Sequence, residues 1–238
     1  KNLRFAMNYG LNRKEYNTLV NYDTYVAAQR LVLPDVTSAD TTYGEAYPFE
    51  PFPLENDNAK AKEYLDKAVS ELGVSSPADI EINLLTTDTE GAKRQAEVLK
   101  EQYEKNLGIK VEIDQVTYKE RLEREQVLDY DMVVTGWVPD YSDAYSYLEL
   151  WISDGQYNHS GYNNPKYDEL LEASNTETDA KARQDLLFEA ERIFLEEDAA
   201  LVPLQLRQDT YLVNPKIENF NVYFVGYDFN LVYADLAE

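Results

Sequence analysis

The segment Gly136-Trp137-Val138-Pro139-Asp140-Tyr141-Ser142-Asp143 puts a carboxylate beside an aromatic wall. It continues from Asp131-Met132-Val133-Val134-Thr135-Gly136-Trp137, a short apolar run between turn residues that reads as a buried strand. Open α/β sheets bind ligands outside the carboxyl ends of their strands. An acid placed there among Trp and Tyr suits a small cation such as an amine. A structural role competes with this reading, with Asp140 capping the following helix and Trp137 only packing. Tyrosine is concentrated nearby at Tyr130, Tyr141, Tyr145, Tyr147, Tyr157, Tyr162 and Tyr167, alongside Trp137 and Trp151. Tyr combines apolar area with a hydroxyl at low entropic cost, which suits adaptable binding surfaces. Two or three of these rings are expected to face a ligand, and the rest to seal helix packing.

Other chemistry is excluded or unsupported. The chain has no Cys, which removes disulfides, thiolate nucleophiles and Cys-based zinc sites. Its one His, His159, lies in a Gly/Asn-rich loop and cannot by itself build a His metal site. Neither a glycine-rich phosphate loop nor a GxSxG elbow is present, and no cofactor or metal is expected. Carboxylates are so numerous that a glycosidase-like pair is expected by chance, and runs such as Glu196-Glu197-Asp198 read as solvated faces. The formal net charge of -23 repels phosphate backbones, so nucleic acid is not an expected partner. No apolar run approaches the roughly 18 residues that a membrane helix needs, and no leader or lipid-attachment segment is read within these residues.

The elements that would position Asp140 follow from periodicity. The chain opens on Lys1-Asn2-Leu3-Arg4-Phe5-Ala6-Met7, already amphipathic helix, which reads as a piece cut from a longer protein. Asn12-Arg13-Lys14-Glu15 resembles a capping box opening a helix to about Asn21. Pro34, Pro48, Pro51 and Pro53 keep residues 31–56 irregular. A helix is expected from Asp57 or Asn58, with Ala61, Leu65, Ala68 and Leu72 inward and Gly73 ending it. Then Ile80, Ile82 and Leu84 alternate as a strand, and Glu90 to Leu107 is a helix closed by Gly108. Ile109, Val111 and Ile113 make a second strand, Thr117 opens a helix to about Leu128, and Met132 to Trp137 is the third strand. This order predicts an α/β fold with a parallel βαβαβ core flanked by helices. Further helices are expected from Asp140 or Ser142 through Trp151, over 164–174 and over 179–197. Residues 201–206 and 209–213 read as strands, and 219–235 as a weakly alternating aromatic tail.

Four stretches, in order along the chain, resemble the oligopeptide/dipeptide-binding subunits of ABC importers, solute-binding protein family 5. They are Leu3-Arg4-x-Ala6-Met7-x-Tyr9-x-Leu11-Asn12-Arg13-Lys14, Gly136-Trp137-x-x-Asp140-Tyr141-x-Asp143, Gly161-Tyr162-Asn163-Asn164-Pro165-Lys166-Tyr167-Asp168-Glu169-Leu170-Leu171, and Val202-Pro203-Leu204 with Tyr211-Leu212-Val213. Asn12 stands where the family usually has Asp, and Ala144 where it often has Pro. The resemblance implies a two-lobed clam of the type II periplasmic-binding-protein-like fold, with residues 1–238 forming the C-terminal lobe. The N-terminal lobe would then be a partner in the same protein. It implies a non-enzymatic, extracytoplasmic receptor, periplasmic or lipoprotein-anchored at the cell surface, that delivers peptides to ABC permease subunits. In that family the acid matching Asp140 pairs with the peptide's α-ammonium group. The edge around Gly136 and Val138 bonds the peptide backbone, and Trp137 walls a side-chain pocket, with Tyr141 and Tyr145 adjoining. Strand addition of this kind gives affinity without demanding a particular sequence.

Three rivals have distinguishing features. An oligosaccharide-binding member would stack sugars on Trp137, Trp151 and the tyrosines, but has no need of an acid aimed at an ammonium. A carboxylate-pair hydrolase would turn over substrate rather than bind it reversibly. A receptor for signalling peptides would use the same lobe.

Overall fold

The computed structural model describes residues 1–223, 225–226 and 229–237. Near the start are helices α1 (Asn2–Gly10) and α2 (Arg13–Asn21), with Asn12 accepting the Glu15 amide at 3.0 Å as N-cap. The proline-rich stretch that follows holds only short pieces: β1 (Val26–Ala27), β2 (Thr37–Ser38), β3 (Thr41–Thr42) and α3 (Tyr43–Ala46). Helix α4 (Asn58–Leu72) starts on the Asp57 side chain and stops at Gly73, whose φ of 68° is a left-handed conformation that costs glycine least.

The sheet that carries the site comes next. β4 (Glu81–Thr87), α5 (Glu90–Leu107), β5 (Lys110–Val116), α6 (Tyr118–Gln126) and β6 (Met132–Val133) form a parallel βαβαβ unit. The strand order is β5-β4-β6, so β4 is central and the chain crosses it to reach β6. β4 pairs with β5 over its full length, from Glu81↔Lys110 to Thr87↔Val116. On its other flank it pairs with β6 at only Leu84↔Met132 and Leu85↔Val133. The third strand is thus shorter than the expected span to Trp137, and Met132, Val133 and Val134 are half-buried rather than buried. Beyond Val133 the chain diverges from β4.

The helix expected from Asp140 or Ser142 is also shorter. Residues 140–143 form bends, then α7 (Tyr145–Leu148) runs into a 3-10 turn, Glu149–Trp151. Helices α8 (Pro165–Thr176) and α9 (Ala180–Arg192) are capped by Asn164 and Asp179, and α9 continues as a π-helical turn, Ile193–Glu197. Of the expected strands at 201–206 and 209–213, only β7 (Gln205–Leu206) forms, antiparallel to β1, because β1 offers it a partner of two residues. Phe224, Tyr227 and Asp228 of the expected aromatic tail lie outside the described residues. Around them β8 (Ile217–Glu218) pairs with β11 (Asp235–Leu236), and β9 (Asn221–Val222) with β10 (Phe229–Asn230).

One hydrophobic cluster links the two halves, running from Phe5, Ala6 and Tyr9 through Leu84, Leu99 and Val111 to Leu187, Ala190 and Phe194. Two buried arginines tie its layers together. Arg13 is fully buried and bonds four neutral oxygens: Pro203 O at 2.8 Å, Asn8 O at 2.9 Å, Pro53 O at 3.0 Å and Asn8 Oδ1 at 2.8 Å. Arg30 pairs with the fully buried Glu191, which also accepts the Leu31 and Val32 amides at 3.1 and 2.9 Å. No helix among the described residues is long and apolar enough to cross a membrane.

Candidate functional site

In the β5-β4-β6 order, the connections leaving β4 and β6 diverge at their carboxyl ends. Open α/β sheets hold ligands at such a switch point. The β4 side supplies Thr87, Asp88 and Thr89, the last capping α5 by accepting the Ala92 amide at 3.3 Å. The β6 side supplies residues 134–143, the segment singled out from sequence.

That segment is anchored at both ends and open in the middle. Asp131 Oδ2 accepts the Asn83 amide at 2.8 Å before the strand, and Arg121 donates to Val134 O at 3.2 Å after it. Downstream, Pro139 is buried and its carbonyl accepts the Gly226 amide at 3.1 Å. Ser142 Oγ accepts the Thr37 amide at 2.9 Å. Asp143 is held hardest: it takes Arg183 Nη1 and Nη2 at 2.7 and 3.1 Å, Gln184 Nε2 at 3.4 Å and the Tyr145 amide at 2.8 Å. The bidentate carboxylate raises the Arg183 guanidinium above its ordinary pKa. Between these anchors, the backbone groups of Thr135, Gly136, Trp137 and Val138 make no hydrogen bond among the described residues. A Cβ added at Gly136 would meet nothing within 4 Å, so a ligand backbone could approach it.

The expected site residues divide into two groups. Gly136, Trp137, Val138, Asp140 and Tyr141 are all exposed on this one segment. The Asp140 carboxylate has no hydrogen-bond or ion-pair partner among the described residues. It caps no helix, which answers the structural alternative raised for it. Trp137 lies against Tyr157, ring centroids 6.0 Å apart, forming a two-ring wall that remains open to solvent. Tyr141 donates to Glu149 Oε1 at 3.3 Å, and partial burial together with Glu149 pushes its phenol up to about 12. Tyr145 is drawn away instead. Half-buried against the helical core, its hydroxyl accepts Asn175 Nδ2 at 2.9 Å. Of the remaining tyrosines in the cluster, Tyr147 and Tyr167 are buried, Tyr130 and Tyr162 half-buried, and only Tyr157 joins Tyr141 at the solvent-exposed surface. Trp151, half-buried, packs on Phe194 with ring centroids 5.0 Å apart, against the hydrophobic core.

Sequence reasoning missed the support beneath the segment. Arg121 and Glu125 of α6 form a buried ion pair one helical turn apart, and Arg121 reaches from it to Val134 O. Burial raises the Glu125 carboxyl above its ordinary pKa, against the pull of Arg121. Tyr130 donates to His159 O, joining the loop that carries Tyr157 to the approach to β6. The usable signal was the Arg-x-x-x-Glu spacing on a helix, which puts both groups on one face. Among the described residues, no cluster of three or more His, Asp or Glu side chains converges to hold a metal ion.

Comparison with known proteins bears on the family and the fold. The family model for bacterial extracellular solute-binding proteins, family 5 Middle, matches residues 1–159. The oligopeptide-binding protein OppA of Bacillus subtilis is 31% identical over 219 residues, which is 91% of this chain and 39% of that protein. A crystal structure of an oligopeptide ABC transporter substrate-binding domain from Bacillus anthracis superposes with a TM-score of 0.86 at 30% identity, covering 100% of this chain and 46% of that one. Listeria monocytogenes OppA bound to peptide gives a TM-score of 0.83 at 30% identity, covering 100% and 45%. The chain therefore spans less than half the length of these relatives, and its α/β architecture is that of periplasmic-binding-protein-like receptors. On the family match and these likenesses together, the chain belongs to the bacterial extracellular solute-binding proteins of family 5.

Proposed function

We propose that residues 1–238 are the C-terminal lobe of a peptide receptor serving an ABC importer outside the cytoplasm, and that Asp140 pairs with the α-ammonium group of an extended peptide. The observation that carries this reading is an exposed, unpartnered carboxylate next to a run of unbonded backbone, at the switch point of the sheet. A peptide supplies what both lack: a cation for Asp140, and amides and carbonyls for Thr135 to Val138. The Trp137–Tyr157 wall would flank a ligand side chain. Peptide backbone is common to every sequence, so recognition through it suits a receptor for many peptides. Binding is reversible and non-enzymatic in this reading. An N-terminal lobe of the same protein closes over the ligand, and permease subunits receive it.

The test uses the complete two-lobed protein. In a closed cleft the Asp140 pair is desolvated, and removing one partner of a buried, hydrogen-bonded charge pair costs roughly 2–5 kcal/mol. Asp140→Asn should weaken a free-amine peptide by about 30-fold or more in titration calorimetry. The N-acetylated peptide should bind weakly at the outset and lose little more. Equal losses for the two peptides would remove Asp140 from the amine-binding role. Tight binding of an oligosaccharide with no response to Asp140→Asn would favour the sugar-binding alternative.

A further inference from the structure

The divergence of β6 from β4 needs a cause. In the ladder Leu84 faces Met132 and Leu85 faces Val133, so continuing the register would set Thr86 against Val134 and Thr87 against Thr135. β4 stays in strand conformation through Thr87 and goes on pairing with β5 there. Nothing in β4 ends the β6 ladder. The Val134 carbonyl, the first acceptor past the last ladder pair, instead takes a hydrogen bond from Arg121 at 3.2 Å.

Arg121 is well fixed for this. It is 8% exposed, is paired with Glu125 (5% exposed) on the same face of α6, and has the Tyr118 ring 5.2 Å from its guanidinium carbon. Its Nη1 donates to both Glu125 Oε1 and Val134 O, while its buried Nε has no partner among the described residues. We infer that Arg121, oriented by Glu125, is a positioning residue that holds the Val134 carbonyl away from β4 and keeps the edge from Thr135 to Val138 free to bond a ligand backbone. The inference rests on the peptide-edge reading above for its functional meaning, while its structural half stands apart from any ligand.

The test pairs a double variant with two readouts in the two-lobed protein. Deleting one member of a buried ion pair leaves the other charge stranded, whereas replacing both by apolar residues of similar size is often neutral for folding. Arg121→Met with Glu125→Leu should therefore retain the thermal midpoint while releasing Val134. Without the Arg121 bond the ladder should extend to Thr86 and Thr87. Amide exchange at Thr87, the donor the freed carbonyl would meet, and at Gly136 should then slow by about three- to tenfold, the worth of one ladder hydrogen bond. Tetra-alanine should bind about three- to tenfold more weakly, for the same reason, because the edge it needs is now closed. A variant that unfolds can be replaced by Glu125→Gln alone, which keeps Arg121 but loosens its orientation and should move both readouts the same way. Unchanged exchange at Thr87 and Gly136 in a folded variant would overturn the inference. Slowed exchange with unchanged tetra-alanine affinity would instead overturn the peptide-edge reading and leave the positioning role intact.

Discussion

Asp143 is the strongest anchor of the segment that carries Asp140, and its replacement gives a graded prediction. Its carboxylate accepts both Arg183 terminal nitrogens, one Gln184 donor and the Tyr145 amide. Hydrogen bonds involving a charged group are worth roughly 1.5–3 kcal/mol each. The Asp143 and Arg183 side chains are 20% and 26% exposed, so screening by solvent lowers the sum for their two bonds to about 2 kcal/mol. Asp143→Asn keeps an acceptor for the Tyr145 amide, but it removes the charge and turns an amide donor toward Arg183. It should cost about 2 kcal/mol, or about 4–8 °C in thermal midpoint for a chain of this size. Asp143→Ala also removes the acceptor for Tyr145 and should cost about 1 kcal/mol more, by analogy with a lost cap. Calorimetry or urea titration of both variants at low and high salt is the assay, with the gap to the parent narrowing as salt rises. Because Asp140 lies just upstream, free-amine peptide affinity in the two-lobed protein should fall alongside stability. A loss below about 0.5 kcal/mol for Asp143→Asn, or an Ala variant no worse than the Asn variant, would refute this reasoning about the anchor.

Other outcomes follow from packing and burial. A Cβ at Gly44 would sit 2.7 Å from Pro34 Cβ, and a proline ring cannot rotate aside. Gly44→Ala should therefore lose about 1–3 kcal/mol by overpacking, more than the roughly 1 kcal/mol that Ala gains in a helix, and chemical denaturation measures the difference. The phenols of Tyr16, Tyr43, Tyr103 and Tyr167 are raised above their ordinary value by burial. The folded state therefore holds protons there that the unfolded chain releases near pH 10, and stability should fall as pH climbs past about 10. Alkaline titration followed by tyrosinate absorbance should show these phenols ionising together with loss of circular dichroism, and ionisation with the fold intact would contradict their burial.

Elements set by local rules were readable from sequence. Helix α5 has the expected limits, Glu90 to Leu107, with Thr89 capping it and Gly108 closing it at a φ of 69°. The caps at Asp57, Thr117, Asn164 and Asp179 are where side-chain chemistry put them, since a short acceptor at the N-cap binds an amide only a few residues away. Elements that depend on distant partners were less readable. Met132 to Trp137 has strand composition throughout, but its ladder stops at Val133 because Arg121, from a different element, takes the next carbonyl. No strand forms over 209–213 among the described residues, because strand composition alone does not make one. In the site, the exposure of Val138, Asp140 and Tyr141 agrees with the segment's turn-rich sequence, whereas Trp137, read as the end of a buried strand, is exposed because that strand stops at Val133. The inward turn of Tyr145 depends on Asn175 of α8, which local sequence does not reveal.

The environment of Arg13 gives its neighbourhood an uneven tolerance for sequence change. Three of its four bonds end on main-chain carbonyls, those of Asn8, Pro53 and Pro203, and the fourth on the Asn8 side chain. Every amino acid carries a carbonyl, so the residue types around this junction can drift while the bonds persist. Arg13 has no such latitude, because a shorter or unforked side chain could not reach three separate segments at once. The specificity of the junction is thus concentrated in one side chain, and the path of the surrounding backbone, more than its residue types, is what that side chain reads.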